Sequence, residues 1–271
     1  MRSDEGMAMK TVLCCEDSLE GILCGVYEGW AGKYGHASVA LALGKPGQQE
    51  LFVRYVQVPT ETEPAQKVYR TVLRVMGEEA CEQMELAAMS HREDKGTAIY
   101  QLIVSGFHMA QPGRVLEALT LPGVQRVTEL AGSVWKEAHH LMGFVRFAES
   151  REGTLVAFMQ PKAQLLPVLA PHFADRLPGE NWVIVDVAHG QLAVHQRQTS
   201  WVLLRDAALA EQMKEVFAGE ERLSEEELLF GQLWKEFCSS IAIAGRNNPA
   251  LQNQLLPARF RPFMTEFCEK Y

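Results

Sequence analysis

The sequence predicts an α+β fold, and three observations predict it. Hydrophobic residues recur at helical spacing through residues 62–142, two hairpin patterns joined by a short helical stretch occupy about residues 143–204, and another helical pattern follows toward the C-terminus. Two hairpins joined by a helix favour one antiparallel sheet, packed against helices from the N-terminal half and from the C-terminus. A chain of 271 residues suits one large domain or two closely packed halves. We assign residues 10–271 to a single α+β domain, with a mostly helical half at 10–125 and a half of sheet and C-terminal helices at 126–271. Residues 1–9 are expected to form a disordered extension.

The opening "TVLCCEDSLEGILCGVYEGW" reads as a short strand, a turn and a helix. Asp17 and Glu20 have capping-box spacing, and Leu19, Ile22, Leu23 and Val26 supply the buried stripe. "GKPGQQ" marks a loop and "ELFVRYVQV" alternates as a strand does. Val68, Val72, Leu73 and Met76 repeat helically, as do Ile99, Leu102, Ile103 and Phe107. After the break at "QPGRVLEALTLPGV", Val127, Leu130, Ala131, Val134, Ala138 and Leu141 mark one face of another helix, so three or four helices are expected.

The period then changes. "GFVRFAES" and "TLVAFMQP" flank a tight "REG", "LLPVLAPHFADRLP" is a short helix bounded by prolines, and "NWVIVDVA" and "QLAVHQR" flank His189 and Gly190. An acidic, linker-like "AGEERLSEEE" leads into a helix with Leu228, Leu229, Leu233, Trp234 and Phe237 on one side.

Composition excludes several classes. No apolar run approaches the roughly 18 residues that cross a bilayer, and "MRSDEGMAMK" is too polar for a signal peptide, so a cytoplasmic protein with no membrane contact is expected. The net charge of −8 argues against a nonspecific nucleic-acid coat. Its distribution is uneven: residues 211–229 carry seven glutamates, whereas residues 243–263 carry arginines and no acid. The six cysteines form no C-x-x-C pair, so neither a metal nor a cofactor is expected on this chain, and small buried thiols are.

Candidate functional residues fall in three groups. In "WKEAHHLMGFVRF", helical geometry puts Lys136 and His140 on the outer side and His139 with Trp135 at the rim of the core, while Arg146 lies opposite Val145 and Phe147. Lys136, His140 and Arg146 could meet phosphate or a base; ordinary surface pairing fits them as well. His139, His172 and Asp186 are the candidate acid–base groups of an enzymatic reading, and a network role is the simpler account of an aspartate inside "WVIVDV". No G-x-S-x-G elbow, phosphate-binding glycine loop or metalloprotease motif is present. In "GRNNPALQNQLLPARFRPF", Arg246, Asn247, Asn248, Gln252, Arg259 and Arg261 can bond phosphates, base edges or a partner protein. The amides could equally cap a helix, and the arginines pair with the acidic 211–227 run.

"AHHLMGFVRF", "LAPHFADRLPGENWVIVDV" and "LWKEFCSSIAIAGRNNPALQNQLLPARFRPFMTEF", with "DSLEG" before the first helix, resemble a bacterial family described as a DNA metabolism protein, a domain of unknown function. The resemblance covers residues 10–270. It implies a gene neighbour, a radical SAM protein assigned to DNA modification or repair, and a similar domain fused elsewhere to a uracil-DNA glycosylase-like domain. The expected function is thus an accessory protein of DNA repair or modification that works with the radical SAM partner and binds DNA, that partner, or both. An enzyme acting on damaged nucleobases and a protein scaffold without DNA contact are the alternatives.

Overall fold

Five consecutive buried residues, Thr11–Cys15, form β1, and their unbroken burial has a topological cause. β1 lies between β2 (Val39–Leu43) and β3 (Arg54–Gln57), parallel to both. A central parallel strand is covered on both faces and cannot alternate polar with apolar. The computed structural model describes residues 10–44, 50–243, 245 and 248–267, and the chain divides into two compact units, Met1–Trp135 and Lys136–Tyr271. The extension expected over residues 1–9 lies outside the described residues.

In the first unit the chain leaves β1 through α1 (Leu19–Ala31). Its cap is Ser18, which accepts a hydrogen bond from the Gly21 amide at 3.0 Å; Asp17, expected there, instead pairs with the buried Lys95 at 2.6 Å. α2 (Thr62–Met76) and α3 (Glu78–Ala88) are separated by Gly77 alone. Its φ of +90° lies in the left-handed region, which glycine adopts without a Cβ penalty. α4 (Lys95–His108) and α5 (Pro122–Phe144) complete four helices between residues 62 and 144, as the helical periods predict. Ile22, Val72, Met84, Ile99 and Ile103 are among the side chains that close the core, with the Tyr100 ring fully buried. β2 and the parallel sheet are findings of the structure: "VALAL" is too short to be told from a helix by periodicity.

The second unit carries a five-stranded sheet in the order β4 (Phe147–Glu149), β5 (Leu155–Met159), β6 (Trp182–Asp186), β7 (Gln191–His195) and β8 (Val202–Arg205). Both expected hairpins form as antiparallel pairs. The sheet as a whole is mixed rather than antiparallel throughout, because α6 (Leu166–Arg176) carries the chain back and lays β6 parallel to β5. Alternation sends Val185 and Leu192 toward α7 (Ala207–Val216) and the Trp182 face toward α6, where Phe147 meets Phe173 and Trp182. α7 is an element the sequence reading omits. α8 (Glu225–Ser240) is capped by Ser224 and opens with Glu225, Glu226 and Glu227, which its macrodipole favours. α9 (Pro249–Leu255) and a 3-10 segment, Ala258–Phe263, end the described chain.

Candidate functional site

The parallel pairing of β5 and β6 brings Met159 beside Asp186 at the carboxyl ends of both strands, where open sheets with parallel strands place their ligands. Because β4 and β7 run antiparallel to these two, the C-terminus of α5 and the start of β7 lie at the same end. Of the residues singled out by type, Asp186, His140 and Arg259 contribute to the contacts that gather there.

Asp186 has no exposed surface, and its carboxylate is fully engaged. It accepts from the amides of Ala188 and His189 at 3.0 and 3.2 Å, and its second oxygen lies 2.7 Å from His189 Nδ1. That hydrogen bond raises the His189 pKa against the opposing effect of burial, and the backbone carbonyl of Lys162 raises it further. Glu137, also buried, accepts from the amides of Lys162 and Ala163, both at 3.1 Å, and pairs with Arg259 at 3.4 Å. The loop after β5 is thus held by Glu137, and Arg259 ties the C-terminal strip to the same place.

His140 belongs to this cluster. Its ring stacks on Phe144 at 5.7 Å and meets Phe260 edge-on at 5.7 Å, with the Arg259 guanidinium 4.6 Å from the centre of the Phe260 ring. The expected sides of the helix are therefore exchanged: His140 is half-buried, whereas His139 and Trp135 are exposed. The Phe260 ring, brought in by the C-terminal strip, covers the His140 side, and no helical wheel contains that contact. Lys136 is exposed as expected.

Arg146 lies off the Phe147 face, as alternation predicts. Its guanidinium donates to Glu266 at 2.9 Å and to the Gly143 carbonyl at 2.8 Å. Burial pushes the Glu266 carboxyl up, but the Arg146 guanidinium, with the Trp234 indole, more than offsets this and holds it below its ordinary range. Beside Arg146 opens a cavity of about 350 Å³ walled by Phe158, Phe217, Leu223 and Phe263, with Lys214 and Thr265 at its edge.

Two of the amides, Asn248 and Asn253, serve the fold. Asn248 caps α9 by accepting from the Leu251 amide, and Arg261 donates to Asn253 at 2.7 Å and to the Leu256 carbonyl at 3.0 Å. Gln252 is exposed on α9; Arg246 and Asn247 lie outside the described residues. Among the described residues neither Arg259 nor Arg261 pairs with the acidic 211–227 run. Of the acid–base candidates, Asp186 closes on His189 and on neither of the others; His172 is half-buried on α6 with its ring edge-on to Phe173, and His139 faces solvent. Sequence reasoning missed Glu137, His189 and Glu266. Only His189 left a signal, a histidine three residues after the strand aspartate in a tight turn.

Cys14, Cys15, Cys24 and Cys81 are buried free thiols, and burial pushes Cys15 up to about 12. No helix among the described residues is long and apolar enough to cross a membrane.

Comparison with known proteins gives one family. No curated protein matches the chain. A solved DHH-domain structure from the s1p family of ribosomal proteins is similar at 10% identity over 69% of this chain and 74% of that one, with a TM-score of 0.32, too low to carry an argument. Residues 93–266, from the loop before α4 to the C-terminal strip, match the domain of unknown function DUF4130. The chain belongs to that family.

Proposed function

We propose that this protein is an accessory factor of DNA repair or modification that docks a radical SAM protein on α8. One observation carries the docking surface. Phe230, Leu233, Trp234, Phe237 and Ile241 follow one another at i, i+3, i+4, i+7 and i+11, and each is between 42% and 64% exposed. Monomeric proteins rarely leave so continuous an apolar stripe uncovered, and this spacing is that of anchors for a helix or groove of a partner. A groove of about 630 Å³ runs along the stripe beside Arg146 and Glu227, and Glu225, Glu226 and Glu236 add acid to the same helix. The complementary partner segment is therefore apolar with lysines and arginines at its rim.

The test is co-expression with the radical SAM protein and co-purification of the pair. Phe230→Asp with Leu233→Asp, at two exposed positions of the stripe, is expected to abolish the complex with little change in thermal stability. A complex that survives this double substitution overturns the docking surface; absence of any complex with the unsubstituted protein overturns the accessory role. The enzymatic alternative now centres on Asp186 and His189, but the structural bonds to both residues favour a clamp.

A further inference from the structure

We propose that the cleft between α1 and α2 binds single-stranded nucleic acid, seating an unpaired base in an aromatic slot and the neighbouring phosphates on a cationic strip. The inference rests on the nucleic-acid side of the function proposed above and adds the surface and the form of the nucleic acid.

Two adjoining depressions make the site. The first, about 300 Å³, is walled by Tyr27, Trp30 and Phe107, with Lys67 and Thr71 at its mouth. Tyr27 is 38% and Trp30 37% exposed, an unusual amount for two aromatic residues on one helix whose other face fills the core. The Trp30 ring is packed against other rings, 5.8 Å from the slot's own Phe107 and 5.8 Å from the buried Tyr100, which limits its rotation. The second depression runs along α2 between Lys67, Arg70 and Arg74, with Gln66 and Thr71 in it and Glu63 at its N-terminal end. Lys67 and Thr71 belong to both.

The three cations stand apart from the other basic groups of interest. Arg126, Arg146 and Arg259 each pair with a carboxylate, as does the buried Lys95. Among the described residues Lys67, Arg70 and Arg74 pair with none: Lys67 lies 5.6 Å over the Tyr27 ring and Arg70 donates to Gln66. At i, i+3 and i+7 they fall along one side of α2 over about 10 Å. A cationic strip flanked by exposed aromatic rings is the arrangement that tracks a sugar–phosphate backbone while its bases stack. A duplex offers no free ring face to such a slot, and an acidic peptide would leave it empty. Thr71 and Gln66 supply the hydroxyl and amide that bond phosphate or a base edge.

The experiment is fluorescence anisotropy of the full chain with a labelled oligothymidine of about 12 nucleotides, and with a duplex of equal length, across a salt series. The single strand is expected to bind more tightly than the duplex. Lys67→Ala, Arg70→Ala and Arg74→Ala together should reduce the slope of log K against log salt by about 2, from about 0.7 per neutralised phosphate. Trp30→Ala should weaken binding about tenfold and leave the slope unchanged. Because Trp30 also packs on Phe107, the outward-facing Tyr27→Ala is measured beside it and should weaken binding in the same sense. Equal or tighter duplex binding, an unchanged slope in the triple variant, competition by polyglutamate as effective as by unlabelled strand, or no binding overturns the inference. The partner complex is scored separately. A complex without strand binding refutes this site and leaves the accessory role standing; strand binding without a complex does the reverse.

Discussion

His189 Nδ1 lies 2.7 Å from Asp186 Oδ2 across a three-residue turn, with the aspartate fully buried and the imidazole about one fifth exposed. Since the histidine's pKa is raised in the fold, the pair contributes stability that is fully present below the unfolded value of about 6.5 and is lost as pH rises through the folded value. Thermal melts of the protein should therefore fall above about pH 6.5. Asp186→Asn should remove that dependence, lower the His189 pKa read by NMR, and destabilise the fold by roughly 3–5 kcal/mol, the cost of breaking a buried pair. An unchanged His189 titration in the variant would refute the coupling.

Glu266, paired with Arg146, acts in the other direction. The carboxyl is held below its ordinary value, so its contribution is present above the unfolded pKa and lost as pH falls through the folded one. Arg146→Met leaves burial to raise the Glu266 carboxyl, so the loss of stability on acidification that this group contributes should weaken or reverse, and Glu266→Gln should remove the group's pH dependence altogether. Equilibrium unfolding between acid and neutral pH reads both.

The C-terminal arginines have unequal structural roles. Arg259 is 43% exposed opposite a Glu137 that keeps two backbone donors, so Arg259→Ala should cost less than about 1 kcal/mol. Arg261→Ala removes the bonds to Asn253 and Leu256 and should cost about 1–2 kcal/mol and loosen α9, seen as faster amide exchange there. With both removed, the salt slope of nucleic-acid binding should change by less than about one. A fall of about two would return the phosphate contact to this strip.

Two glycines should resist substitution for different reasons. A Cβ at Gly29 would lie 2.6 Å from the buried Tyr100 ring, so Gly29→Ala should destabilise by about 1–3 kcal/mol through overpacking and blue-shift or quench the neighbouring Trp30 emission. Gly190 has φ +60° and would meet Ala207 at 2.6 Å, so Gly190→Ala adds backbone strain to a clash at the start of α7. Its melting temperature should fall further than that of Gly179→Ala, where a Cβ meets nothing.

Legibility in the sequence followed the range of the interaction. The stripe Ile22, Leu23 and Val26 and the hairpin turn at His189 and Gly190 rest on fixed local offsets, and such offsets can be read along the chain. The direction of β6 against β5, the place of β1 between two parallel strands, and the exchange of His139 and His140 each depend on which distant segment arrives. Glu266 is 120 residues from Arg146, and nothing near either residue announces the other.

The sequence by itself determined the α+β class, the two hairpins with their connecting helix, and the apolar side of α8, because hydrophobic period and turn chemistry are properties of neighbours along the chain. Only the tertiary structure decided that this side of α8 faces outward while Asp186 is enclosed. It also decided that Arg259 and Arg261 bind the protein's own groups while Lys67, Arg70 and Arg74 remain without a carboxylate among the described residues. Burial and pairing are set by what packs against a side chain: for Arg259 that partner, Glu137, comes from a distant stretch of the chain, for Asp186 and Arg261 it is a near neighbour brought round by a turn, and on α2 and α8 none is supplied by the described chain.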